Sequence, residues 1–290
     1  LEGFTASGLH TTDSGALRYE FQPAEAGLYI FGHSAVDWLD WLGVLFFLGT
    51  LAGVTLHGGL RYLSARRRVP QQAELKRVYM YSVYERQWHW LQTAVIFGLI
   101  FTGLVIHKPD KFGIFSFNYI VQVHNILAII LLINAALAAF YHLASGEIRQ
   151  FLPQPHGFFN DAIMQAKYYV RGIFKGEEHP FEKTRQRKMN PLQQMTYLMI
   201  LNVLLPAQVV TGILMWGAQH FPNVTASLGG LPFLAPLHTI VAWLFASFIV
   251  AHVYLTTTGH TPLTNIKAMI SGWDEVEAHG SDLTPKEQTL

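Results

Sequence analysis

The chain has no cysteine among its 290 residues. That absence excludes disulfides, thiolate-ligated haem, cysteine-held iron-sulfur clusters and covalent c-type haem attachment within the chain, so any metal must be held by histidine or carboxylate. Charge is scarce too: only 13% of residues are Asp, Glu, Lys or Arg, against about 25% in ordinary soluble domains. With a net charge of +1, no global basicity calls for nucleic acid. In place of charge the chain carries 51% hydrophobic residues and 14 histidines, many for so apolar a protein.

Five apolar runs are long enough to cross a bilayer. The first extends from about Trp38 to Leu60, with Trp38 and Trp41 as an interfacial belt and Arg61, Arg66, Arg67 and Arg68 as a stop signal. The second covers about Trp88 to Ile106, the third about Tyr119 to Leu143, and the fourth about Pro191 to Gly217. In the fourth, Pro206 predicts a kink, and Asn202 is a buried polar group that needs a partner. The fifth is the uncharged stretch Leu234 to Thr258. These runs predict an all-α integral membrane protein with five transmembrane helices. The organisation expected is an aqueous arm at 1–36, an extra first span at 37–62, a linker at 63–87, a four-helix core at 88–258 that includes a polar connection at 144–190, and a tail at 259–290. Within the connection, DAIMQAKYYVRGIFKG alternates apolar and basic residues as an interfacial helix does.

Lysine and arginine set the expected orientation. Arg61 to Arg86 holds seven, the connection eight and the tail two, against only Arg18, Lys108 and Lys111 on the other side. Seventeen against three predicts a periplasmic N-terminus and a cytoplasmic C-terminus in a bacterial inner membrane.

The histidines carry the chemistry. His238 and His252 share the fifth run, where their spacing places them about 21 Å apart along a helix and about 40° apart around it. A polar ring inside an apolar span is costly unless it is paired or ligated. Neutral imidazole is a usual axial ligand of haem iron, so one helix giving one ligand to each of two haems accounts for the spacing; packing against neighbouring backbone is the alternative. By depth, His124 lies level with His238 near the outer surface, and His89 with His252 near the inner one. His142 competes with His89 for the inner position, because it shares a face with His124 five turns away. His57 is read as an interfacial histidine, with a third ligand or a group near a quinone as alternatives. Gly98, Gly103, Gly212 and Gly217 permit close helix approach or flat macrocycles. Arg86, Arg61 and Lys188 are placed to meet haem propionates at the inner surface, though most such residues only mark topology.

Two motifs then give a resemblance. Arg86-Gln87-Trp88-His89-Trp90 resembles the R-x-x-H-W opening of the bacterial dihaem cytochrome b subunits of formate dehydrogenases, thiosulfate reductases and nickel-iron hydrogenases. Lys188-Met189-Asn190-Pro191-Leu192-Gln193 is similar to the K-x-N-x-x-Q segment of the formate dehydrogenase gamma type. His124, His238 and His252 match that type's ligand positions, and the resemblance covers roughly Tyr81 to Trp273. It implies a four-helix dihaem cytochrome b core with two b haems, the outer iron on His124 and His238 and the inner on His89 and His252. It also implies a quinone, menaquinone or ubiquinone, near Asn190 and Gln193, with Arg86 at a propionate or the quinone. Its partner would be a periplasmic iron-sulfur or multihaem c-type subunit, a separate chain because this one has no cysteine. The first span and the bulky Pro191-Leu192 depart from the family pattern.

The function expected is therefore an electron-transfer, quinone-reactive anchor subunit of an oxidoreductase complex. A self-contained cytochrome b561-type reductase is the rival, favouring two histidines on each of two helices, here His124 with His142. A histidine-relay transporter is disfavoured, since it calls for acidic partners and the second to fifth runs contain none. A reduced-minus-oxidised spectrum of the purified protein is expected to show b-type haem bands; a featureless spectrum would leave the transporter standing.

Overall fold

The computed structural model describes residues 9–11, 17–19, 37–67, 74–112, 115–153, 156–181, 183–218 and 220–277. In chain order the elements are β1 (Leu9–Thr11), β2 (Leu17–Tyr19), α1 (Asp37–Ala65), β3 (Leu75–Tyr79), α2 (Val83–His107), α3 (Pro109–Phe112) and α4 (Phe117–Ser145). A 3₁₀ turn at Glu147–Gln150 leads to α5 (Phe158–Lys167), a π-turn at Tyr168–Gly172 and α6 (Ile173–Lys175). Then come α7 (Pro191–Met199), a second π-turn at Ile200–Leu204, α8 (Leu205–Gly217), α9 (Pro222–Ser227), α10 (Gly230–Thr256), α11 (Thr264–Ser271) and β4 (Trp273–Glu277). Among the described residues, five helices are long and apolar enough to cross a membrane: α1, α2, α4, the α7–α8 run and α10, of which α10 is the most buried and α1 the least. The expected N-terminal arm lies outside the described residues except for the β1–β2 strands, and so does the tail beyond residue 277.

Two of the spans begin at capping boxes. Ser82 Oγ accepts from the Glu85 backbone N–H at 3.2 Å while Glu85 Oε2 accepts from the Ser82 N–H at 2.8 Å. This S-x-x-E arrangement starts α2 at Val83, ahead of the Trp88 start expected from hydropathy. At α7 the reciprocal pair is Asn190 and Gln193, with Pro191 in the first helical position, where a missing N–H costs nothing. Further along that run, Pro206 has no N–H to give the Asn202 carbonyl. The helix accommodates this with the π-turn at Ile200–Leu204, placed just ahead of the proline. Asn202 itself is exposed rather than buried, and its amide donates to the Leu198 carbonyl at 2.8 Å. A polar side chain satisfied by its own helix needs no partner across the bundle.

The chain forms two compact units, residues 1–48, 90–137 and 203–247 in the first and 49–89, 138–202 and 248–290 in the second. In the first, Asp40 near the start of α1 takes His107 Nε2 at 2.7 Å and Lys108 Nζ at 2.8 Å, joining α1 to the end of α2. Phe47 packs on Trp243 of α10 with ring centres 5.9 Å apart. Gly43 lies directly against the Trp243 indole, where a methyl group would overlap the ring.

In the second unit, β3 and β4 pair antiparallel, with Leu75 opposite Glu277 and Tyr79 opposite Trp273. Residues expected to be separate linker and tail are therefore one ribbon. Gly272 turns the chain into β4 at φ +87°, and a Cβ there would sit 2.7 Å from the Tyr81 carbonyl oxygen, so only glycine fits. Lys183 Nζ donates to Asp274 at 2.5 Å and fastens the ribbon to the connection.

Gly43→Ala is expected to force Trp243 out of position and to lower stability by about 1–3 kcal/mol. Thermal unfolding in detergent reads this; an unchanged midpoint would mean that α1 is not seated on Trp243.

Candidate functional site: two facing histidine pairs

In the first unit α4 and α10 present His124 and His238 to each other, ring centres 6.4 Å apart and planes at 65°. Each ring is held through Nδ1 by a threonine, His124 by Thr102 Oγ1 at 2.8 Å and His238 by Thr211 Oγ1 at 2.9 Å. The glycine after each threonine lets the ring approach. A Cβ on Gly103 would stand 3.6 Å from His124 Cε1, and one on Gly212 3.3 Å from His238 Cε1. Gln208 Nε2 lies 2.9 Å from His238 Nε2, while the buried Gln208 Oε1 has no hydrogen-bond partner among the described residues. A glutamine amide with its carbonyl unused is weakly committed to that place.

In the second unit His89 of α2 faces His252 of α10, again with ring centres 6.4 Å apart and planes at 49°. Phe248 stacks on His252 at 5.5 Å. His142, only 6% exposed, points its Nδ1 at the Ala138 carbonyl in its own helix at 2.6 Å. Its ring is packed by Trp88, Tyr141 and Phe151. His57 uses both nitrogens: Nε2 donates to the Tyr169 carbonyl at 2.7 Å and Nδ1 accepts from the Tyr254 hydroxyl. It is a strut joining α1, α10 and the first π-turn, with no lone pair left for a metal.

The motif residues at the start of α7 have structural work. Asn190 Oδ1 accepts from the Gln193 N–H at 2.8 Å and Gln193 Oε1 from the Asn190 N–H at 3.0 Å, while Asn190 Nδ2 donates to the Tyr169 hydroxyl at 3.5 Å. Lys188 Nζ donates to Glu85 at 2.6 Å and Glu147 at 3.2 Å, with the Lys188 and Glu85 side chains 9% and 10% exposed. Burial works to lower the Lys188 pKa, but the hydrogen bonds and charges of Glu85 and Glu147 outweigh it, so the ammonium titrates above the ordinary 10.5. Its stabilising contribution is thus complete below that value and is lost only as pH rises through the raised one. Arg86 donates through NH1 to the Ile270 carbonyl at 2.5 Å and through Nε to the Ser82 carbonyl at 3.4 Å, a tie to α11. The threonines and Gln208 were not singled out from the sequence. The signal for the threonines was the same Thr-Gly step in two spans, Thr102-Gly103 and Thr211-Gly212.

Ring separation tests what the pairs can hold. Two imidazoles joined by a direct N–H···N bond would have centres about 5.3 Å apart. An iron about 2.0 Å from each nitrogen, with each nitrogen about 1.2 Å from its ring centre, gives about 6.4 Å instead. Both pairs stand at the second distance.

This helical, multi-pass membrane chain belongs to the prokaryotic cytochrome b561 family, whose model matches residues 80–272. The match begins after α1. The chain is similar to "Putative cytochrome YdhU" of Escherichia coli (strain K12), 31% identical over 236 residues, which cover 81% of this chain and 88% of that protein. No solved structure matches. The family binds haem b, so the chain is a cytochrome b561-type transmembrane electron-transfer protein.

Asn190→Ala should lower stability by about 1 kcal/mol through loss of the cap, and Asn190→Ser should restore it. Unfolding midpoints check this; an unchanged midpoint in Asn190→Ala would mean that the side chain does not hold the start of α7.

Proposed function

We propose that this chain is the membrane-anchoring cytochrome b subunit of a respiratory oxidoreductase complex in a bacterial inner membrane. It would pass electrons through two b haems between a periplasmic iron-sulfur or multihaem c-type subunit and the quinone pool. The observation that carries this reading is that two separate histidine pairs, His124–His238 and His89–His252, share the 6.4 Å ring separation suited to an iron between them. Bound haem supplies a one-electron iron couple. His124 with His238 and His89 with His252 would hold the haems, and the apolar helices around them would exclude water.

At the cytoplasmic side, the NH₂ groups of Asn190 and Gln193 would donate to a quinone carbonyl oxygen, with protons drawn from the aqueous connection. Arg86 is better suited to fastening α11 than to a propionate, given its two backbone carbonyl partners. Family membership is shared with the self-contained reductase. What favours the subunit reading is the K-x-N-x-x-Q segment, together with the placement of His89, rather than His142, against His252.

Single alanine substitutions at His89, His124, His238 and His252 are each expected to remove one of two haems per chain, while His142→Ala retains both. Pyridine haemochrome content of the purified variants measures this. Retention of both haems in His89→Ala with loss of one in His142→Ala would support the self-contained reductase instead.

A further inference from the structure

We infer that Thr102 and Thr211 are positioning residues that set the tautomer and the electron-donating strength of the His124–His238 pair; the inference rests on reading those histidines as haem ligands. A threonine hydroxyl has one proton to give. Thr102 Oγ1 gives it to the Gly98 carbonyl four residues back at 2.8 Å, and Thr211 Oγ1 to the Ala207 carbonyl at 2.6 Å. With its proton committed to its own helix, each hydroxyl faces the histidine as an acceptor only, so Nδ1 of each imidazole must carry the hydrogen. A neutral imidazole has one N–H, and each ring therefore keeps its lone pair on Nε2, the form that binds iron; on His238 that lone pair faces the weakly committed Gln208 amide at 2.9 Å.

The arrangement occurs twice in matching form. α2 supplies Thr102-Gly103 to His124 of α4, and α8 supplies Thr211-Gly212 to His238 of α10. In each case the threonine holds Nδ1 and the following glycine leaves room for the ring edge. Two helices meeting two different histidines with the same dipeptide in the same role is difficult to attribute to packing alone. The Nδ1–H···O bond also pushes electron density toward Nε2, which favours ferric over ferrous iron and lowers the midpoint potential of the haem that the pair holds.

The test uses full-length protein purified with its haem, comparing wild type with Thr102→Val, Thr211→Val, Thr102→Ser and Thr211→Ser by redox titration of the b band and by low-spin electron paramagnetic resonance. Each valine variant should raise the potential of one haem component and shift its low-spin signal, leaving the other component in place, and each serine variant should behave as wild type. Loss of one component in the valine variants with retention in the serine variants supports the same role. Valine variants that titrate as wild type, or valine and serine variants that move both components alike, overturn it. A His124→Ala control separates this from the parent reading. If His124→Ala retains both components, the ligand assignment fails and the threonine role fails with it; if it loses one while the valine variants are unmoved, the threonine role alone fails.

Discussion

An imidazole inside an apolar helix must place both its N–H and its lone pair, and the structure is arranged to meet that demand. In water neither requirement costs anything; inside a bilayer each unmet one costs several kcal/mol, on the order of a sizeable share of total stability. In the first unit Thr102 and Thr211 take Nδ1 of His124 and His238, and in both units histidines of α10 face a second imidazole across the 6.4 Å gap. The demand is met differently at His57 and His142, where backbone carbonyls and a tyrosine hydroxyl take up the ring nitrogens. One residue type thus serves two purposes, distinguished by whether the ring faces a second imidazole.

The rest of the second unit holds its helix starts in register. The Ser82–Glu85 box begins α2, the Asn190–Gln193 box begins α7, and Lys188 links the two regions by bonding to Glu85 while also reaching Glu147 after α4. Arg86 and the β3–β4 ribbon then fasten the C-terminal segment. These residues lie beside or within the R-x-x-H-W and K-x-N-x-x-Q segments, so those segments encode helix entry. α1, outside the family match, is joined by Asp40 and Gly43 in the first unit and by His57 in the second.

Hydropathy made the five spans legible, because a 20-residue apolar run in a chain this poor in charge has few other uses. The fourth span's bounds, Pro191 to Gly217, agree with the structure, and the resemblance read over Tyr81 to Trp273 agrees with the matched 80–272. Helix starts were less legible where capping rather than hydropathy decides, as at Val83. The β3–β4 pairing could not be read because its strands are about 200 residues apart, and a short exposed strand has little signature of its own. Helix rise and span depth put His124 level with His238, while the inner position stayed open between His89 and His142 until the rings of His89 and His252 were seen to face each other. The threonines were not legible, since a hydroxyl in a span reads as helix packing until its partner across the bundle is known. Asn202 shows the reverse: a polar residue in an apolar run reads as buried and in need of a partner, but it is exposed and its short amide reaches its own i−4 carbonyl.

The central claim is that the two facing pairs grip iron. The most direct measurement is an experimental density map of the purified protein with iron located by anomalous scattering. The account predicts two iron peaks per chain, one between His124 and His238 and one between His89 and His252, each about 2 Å from an Nε2 atom. A map with either gap closed by ordinary side chains, or with iron on His57 or His142, would contradict it.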